Sequence, residues 1–206
     1  MSEIDWIEFI TIAGAHLLAV SSPGPDFAIT VKQSVAHGKK AGIYTALGIG
    51  SGIFAHILFA VFGFALIISQ NEYAYLVMRV IGGAYLIYIG VMSLRAKSFQ
   101  LEQLLNQQAP ISNINAFKQG LFVNLLNVKA TLFFLSLYSA IINSTTPLGN
   151  QIFYGVYMAI ATGFWFSIMA VFFGKRKVRE KFLKYGVWFE RIFGILMIAL
   201  GVHLML

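Results

Sequence analysis

Ser21-Ser22-Pro23-Gly24-Pro25-Asp26 interrupts an apolar segment that otherwise runs from Trp6 to Val31. Each proline removes a backbone donor and pushes the residue before it out of the α region, so a regular helix must open here. In hydrocarbon an opened helix leaves amides and carbonyls unpaired, at several kcal/mol apiece, and such backbone persists only where protein or a water-filled cavity covers it. The acidic Asp26 follows the break directly. Unwound backbone beside an ionisable residue inside a membrane segment is the pattern of a substrate or ion site. The same hexapeptide can also be a plain turn joining two short helices at the membrane surface, and the residues alone leave both readings open.

Outside this stretch the chain is overwhelmingly apolar. Of its 206 residues 58% are hydrophobic and 11% charged, whereas charged residues approach a quarter of a soluble domain. The class is an all-α integral membrane protein, and at about 20 residues per span the length suits six helices with no separate soluble domain. A β-barrel is excluded, because the apolar segments are continuous rather than alternating. Without cysteine there is no disulfide, thiolate metal site or dithiol chemistry. Met1-Ser2-Glu3-Ile4-Asp5-Trp6 is acidic where a signal peptide is basic, so the first segment is expected to stay in the mature protein.

Six apolar stretches are read at about 6–31, 41–69, 73–94, 117–142, 150–174 and 187–206. Twelve of the fifteen Lys and Arg residues fall in or beside the first, third and fifth intervening loops: Lys32, Lys39 and Lys40; Arg95, Lys97 and Lys118; and six between Lys175 and Lys184. Cytoplasmic loops carry the excess of basic residues, so these three loops face the cytoplasm and both termini face outward. The net charge of +7 is therefore an orientation signal and a contact for lipid headgroups. It does not form the basic stripe that a nucleic-acid partner requires. Trp6, Tyr73, Tyr75 and Trp188 sit near span ends, where amphipathic rings favour the interface.

The second half echoes the first. Arg79-Val80-Ile81-Gly82 in the third span has its counterpart in Arg191-Ile192-Phe193-Gly194 in the sixth, and Asn127-Val128-Lys129-Ala130 interrupts the fourth span much as Pro23 to Asp26 interrupts the first. Two repeats of three spans, 1–95 and 117–206, would be joined by the polar cytoplasmic linker 96–116. Three is odd, so the repeats enter the membrane in opposite directions, as in many secondary transporters. Chance similarity among glycine-rich helices is the competing explanation.

Lys129 lies deep in a span, where a charge costs at least ~2.5 to 3.5 kcal/mol and needs a partner or a wet cavity. Asp26 is the natural partner, with Asn124 and Asn127 adding neutral polar groups. Such a cavity suits a zwitterion, whose ammonium displaces Lys129 from Asp26 and whose carboxylate takes Lys129 or exposed helix-end amides. Alternatively Asp26 lies too near the cytoplasmic surface to meet Lys129. His56, four residues beyond Gly52 and eight beyond Gly48, shares their face of the second span and points into the bundle, either as a proton relay or as a structural hydrogen bond. Gly48 and Gly52 can pack a neighbouring helix or a second copy of the chain, so a homo-oligomer is possible. Arg79, about two turns into its span, can snorkel to the interface.

Together, Ser22-Pro23-Gly24-Pro25-Asp26, the glycines from Gly42 to Gly52, Gly82-Gly83-Ala84-Tyr85-Leu86-x-Tyr88-x-Gly90 and Asn127-x-Lys129-Ala130 with Phe133-Phe134 closely resemble the LysE/RhtB family of amino-acid exporters over essentially the whole chain. The resemblance implies a carrier of the bacterial inner membrane that exports amino acids of the threonine, homoserine, leucine or lysine class by proton antiport, with no cofactor. Pro23, Gly24, Pro25, Asp26, Asn127 and Lys129 match its signature positions. The family usually has proline where this chain has Val128, which predicts a less sharply broken fourth helix.

Other classes lack their motifs. There is no His-Glu-x-x-His, Gly-x-Ser-x-Gly or Walker loop, and His16, His37, His56 and His203 have no metal-ligand spacing. The remaining alternatives are an intramembrane enzyme acting on lipid through Asp26 and His56, a passive channel, and an exporter of some solute other than an amino acid.

Overall fold

A computed structural model describes residues 4–68, 72–95, 110–142 and 145–205, and the regular structure among them is entirely helical. Eight helices follow in order: α1 Trp6–Ser21, α2 Pro25–His37, α3 Lys39–Ile68, α4 Glu72–Leu94, α5 Asn113–Leu125, α6 Val128–Ala140, α7 Leu148–Phe173 and α8 Arg176–Met205. Of these, Lys39–Gly63 in α3 and Leu148–Phe173 are long and apolar enough to cross a membrane, and the number rises to four if each of two bent pairs is one span. Shorter apolar stretches, Val80–Leu94 and Gly194–His203, lie in α4 and α8.

The first bent pair is α1 with α2. Asp5 caps α1, its Oδ1 accepting from the amides of Ile7 and Glu8 at 3.0 Å each. At the other end Ser22, held extended by the proline after it, terminates the helix. Pro25 then opens α2 at the first helical position, where a missing N–H costs nothing. The two helices meet at 54°.

The second pair, α5 with α6, is bent by 56°. The softer break expected from Val128 is therefore not found, and the reason is local. Asn127 caps α6 through Oδ1, which accepts from the amides of Lys129 and Ala130. A proline at the next position would only pre-set the helix start; the asparagine makes the break.

Two expected loops are helical. α2 continues to His37 and a single residue, Gly38 at φ 88°, turns the chain into α3. A positive φ of this kind is one that glycine, without a Cβ, adopts at no steric cost. Likewise α8 begins at Arg176, so the basic cluster builds its opening turns. Lys and Arg are good helix formers, and hydropathy marks only the part of a helix that sits in hydrocarbon. Of the expected linker, residues 96–109 lie outside the described residues, and Asn113 already begins α5.

α3 runs through the middle, against α2, α5, α6 and α7. Its seam with α5 is backbone on backbone: a Cβ on Gly48 would strike the carbonyl of Phe117, and one on Gly120 the carbonyl of Thr45. Gly48 and Gly52 thus pack a helix of their own chain. α4 and α8 cross antiparallel on a reciprocal set, with Gly83 facing Gly201 and Gly90 facing Gly194. Close approach through small residues is how helices associate where the hydrophobic effect gives no help. Alongside them, α1 lies against α7. Glu8 accepts from Tyr154 Oη at 3.0 Å and Thr146 Oγ1 at 2.9 Å, and two turns on, His16 Nε2 meets Thr162 Oγ1 at 2.9 Å.

Large apolar side chains cover the outside, among them Ile7, Phe59, Phe62 and Phe164. A monomer in water does not carry so much apolar surface, but one in lipid does. Trp6, Tyr73 and Trp188 are exposed, and the Arg191 guanidinium lies 5.4 Å from the centre of the Trp188 ring. The side chains of Arg79 and Tyr75 fall outside the described residues. Replacing Gly48 by leucine should destabilise the protein by about 1–3 kcal/mol or more, by forcing α3 off α5. Gly63→Ala, which has nothing within 4 Å of the new Cβ, should not. Thermal unfolding in detergent checks both.

Candidate functional site

The two breaks face each other, and their side chains are exchanged. Asp26, in the first turn of α2, accepts at Oδ2 from Asn124 Nδ2 at 2.9 Å and from Asn127 Nδ2 at 3.0 Å. Asn127 therefore works at both ends: its oxygen caps α6 while its amide nitrogen holds Asp26. An aspartate would cap but not donate, and an alanine would do neither.

Asn124 is fully buried, in the last turn of α5, and its side chain occupies the space a Cβ on Gly52 would fill. Its backbone carbonyl accepts from the Asn127 amide at 2.9 Å and also from His56 Nε2 at 2.9 Å. The other ring nitrogen of His56 lies 3.3 Å from Thr131 Oγ1, and the ring stacks on Phe134 with an interplanar angle of 7°. Of the two roles open to His56 from sequence, the geometry is that of a structural hydrogen bond tying α3 to the break.

Lys129 crosses in the opposite sense. From the first turn of α6 its Nζ donates to Ser22 Oγ at 2.7 Å and to the Pro23 carbonyl at 3.4 Å, both in the break of the other half. It thus supplies a donor to backbone that Pro23 and Pro25 leave without one. Asp26 takes its hydrogen bonds from two asparagines, Lys129 gives its own to Ser22 and Pro23, and the two charged groups drawn together from sequence line one cavity.

That cavity has about 50 Å³ open to the centre of a water-sized sphere, and Ser22, Gly24, Asp26, Asn127 and Lys129 form its polar side. A second cavity of about 350 Å³ lies beyond, bordered by Pro23, Pro25, Tyr85 and Tyr88, and Gly24, Ile89 and Lys129 belong to both. Asn124 and His56 stand behind the cavity wall rather than in it. Sequence reasoning missed the pairing of His16 with Thr162 at the far side, because two residues on separate helices give no spacing signal.

Four buried side-chain atoms among the described residues lack a hydrogen-bond partner, Asp26 Oδ1, Asn124 Oδ1, Gln33 Oε1 and Trp165 Nε1, and of these residues Asp26 is the one that lines the cavity. Asp26 Oδ1 is buried without a hydrogen-bond partner, although buried carboxylate oxygens are almost always satisfied. In addition, α2 begins with no side-chain cap. An unmet acceptor and an uncapped helix start at the same cavity are complementary to a ligand that carries both an ammonium and an anionic group.

Asn127→Ala should lower the thermal unfolding midpoint in detergent by the loss of an N-cap, about 0.5–2 kcal/mol, and by the loss of the bond to Asp26. Asn127→Ser keeps a capping oxygen and should recover the first share but not the second. Equal stability of wild type and Asn127→Ala would show that the cap does not hold the break.

The family model described as LysE type translocator matches residues 17–206, which include both breaks and nearly all of the cavity. The chain is 28% identical over 204 residues to the threonine efflux protein of Escherichia coli (strain K12), an alignment spanning 96% of this chain and 97% of that one. It is 29% identical over 163 residues to the homoserine/homoserine lactone efflux protein of Salmonella typhimurium, spanning 76% and 77%. A membrane protein of Bacillus subtilis (strain 168) is 28% identical over 204 residues, spanning 95% and 96%. No solved structure matches. With the family model covering the chain from the end of α1 to its last residue, the protein belongs to the LysE type translocator family.

Proposed function

We propose that this chain is a secondary transporter that exports amino acids of the threonine, homoserine, leucine or lysine class from the cytoplasm by proton antiport. The observation that carries the reading is the buried, unpartnered Asp26 Oδ1 at a cavity shared with Lys129. The names of the threonine and homoserine efflux relatives support it.

The ammonium of a bound amino acid donates to Asp26 Oδ1, while Asn124 and Asn127 keep the carboxylate in place through Oδ2. Its own carboxylate draws Lys129 away from Ser22 and the Pro23 carbonyl, or approaches the start of α2, which no side chain caps. Coupling follows from exclusion. Asp26 can hold the ammonium or a proton but not both, so a proton entering from outside displaces the substrate and resets the site.

For architecture, α1/α2, α3, α4, α5/α6, α7 and α8 serve as six spans in two inverted repeats, 1–95 and 117–206, with 96–116 as the cytoplasmic linker whose last residues already form the first turn of α5. Support comes from the similar bends of 54° and 56° in corresponding places and from the antiparallel crossing of α4 on α8, the third helices of the two halves. The distribution of Lys and Arg supports an inner membrane orientation with both termini outside. Membrane lipid surrounds the bundle.

The test loads cells with dipeptides, with and without the protein, and follows each amino acid inside and in the medium. Faster loss of one or a few amino acids is expected, falling in Asp26→Asn to the rate of cells without the protein. Near-normal export by Asp26→Asn, with the variant present in the membrane, would overturn the role given to Asp26.

A further inference from the structure

From the walls of the cavity we infer that the exported amino acid carries an uncharged apolar side chain, of the leucine, isoleucine or methionine kind, in preference to threonine or lysine. The inference rests on the exporter reading above and narrows it. Apart from the His16–Thr162 pair, the cavity's polar groups are gathered at one side, the two helix breaks. Elsewhere the lining is carbon, and it comes from every remaining direction: Ile53 of α3, Phe133 of α6, Phe166 of α7 and Met197 of α8. Each of these side chains is at least nine-tenths buried, so none is there to face lipid.

Two details exclude the alternatives. Asp26 is, among the described residues, the one carboxylate that lines the cavity. Once the α-ammonium has taken it, the side-chain ammonium of a lysine would lie in apolar surroundings with no counter-charge. The polar groups on the far side, His16 and Thr162, are hydrogen-bonded to each other at 2.9 Å. A site that selects a hydroxyl keeps a buried partner waiting for it, as Asp26 Oδ1 waits for a donor. Here the two groups already bond each other, so a threonine hydroxyl would have to compete for partners that are engaged, whereas an apolar side chain needs none. An apolar side chain loses nothing there and leaves water.

The experiment is a competition in cells expressing the full chain, loaded with dipeptides that release leucine, methionine, threonine and lysine together. Leucine or methionine should leave at least ~10-fold faster than threonine or lysine, the discrimination expected when polar groups must enter an apolar pocket. Met197→Gln, close in volume but with an amide in the wall, should narrow that ratio several-fold while Asp26 dependence is kept. If the variant does not reach the membrane, the wild-type ratio decides alone. Asp26-dependent export of threonine or lysine at an equal or faster rate would overturn this inference and leave the exporter reading standing. Failure of every amino acid to leave would overturn both.

Discussion

Unpaired backbone is what this structure is arranged around. Two helices open in the middle of an apolar chain, and every polar group so exposed must find a partner within the protein. The solution is reciprocal: the break between α5 and α6 sends Asn124, Asn127 and Lys129 to the break between α1 and α2, which returns Asp26, Ser22 Oγ and the Pro23 carbonyl. Neither break is satisfied by its own residues alone. This couples the two halves of the chain at the one place where each is weakest, and it concentrates the charge of the bundle there.

The halves reach similar bends by different chemistry. In the first, proline geometry forbids a continuous helix; in the second, an asparagine cap makes a new helix start more favourable than continuation. The difference is functional as well as structural. Because Asn127 caps α6, that helix start is filled, whereas α2 starts without a side-chain cap. The cavity is thereby asymmetric, with the start of α2 and the Lys129 ammonium together on its polar side and the start of α6 capped.

Around this polar centre the packing is held by glycine. α3 meets α5 backbone to backbone, and α4 meets α8 through Gly83, Gly90, Gly194 and Gly201. Side chains of Ile87, Leu94, Ile198 and Met205 fill the space beside these glycines, so the α4–α8 seam is close-packed. The α1–α7 seam is of another kind, fastened by Glu8 with Tyr154 and Thr146 near the start of α1, and by His16 with Thr162 beside the cavity.

Much of this was legible in the residues. Pro23-Gly24-Pro25 dictates a break wherever it is placed, because the constraint is covalent, and the apolar content dictates helices in lipid. Asp26, Asn127 and Lys129 stand out because ionisable and amide groups are costly in such surroundings. What was misread had a common cause. Two of the three basic loops proved helical, since hydropathy reports the medium and not the backbone, and the break at Val128 proved as sharp as the first, since capping depends on where a side chain turns. The pairing inside the site lay equally beyond reach: sequence brings Asp26 and Lys129 to one cavity by symmetry, but whether they touch each other or exchange partners with Ser22, Asn124 and Asn127 depends on ångström distances between helices far apart in the chain. Composition and covalent geometry thus determined the helical membrane class, the first break and the charged residues at the centre. Tertiary packing alone decided that Asp26 keeps one oxygen unpaired, because only the fold determines which donors arrive and how many.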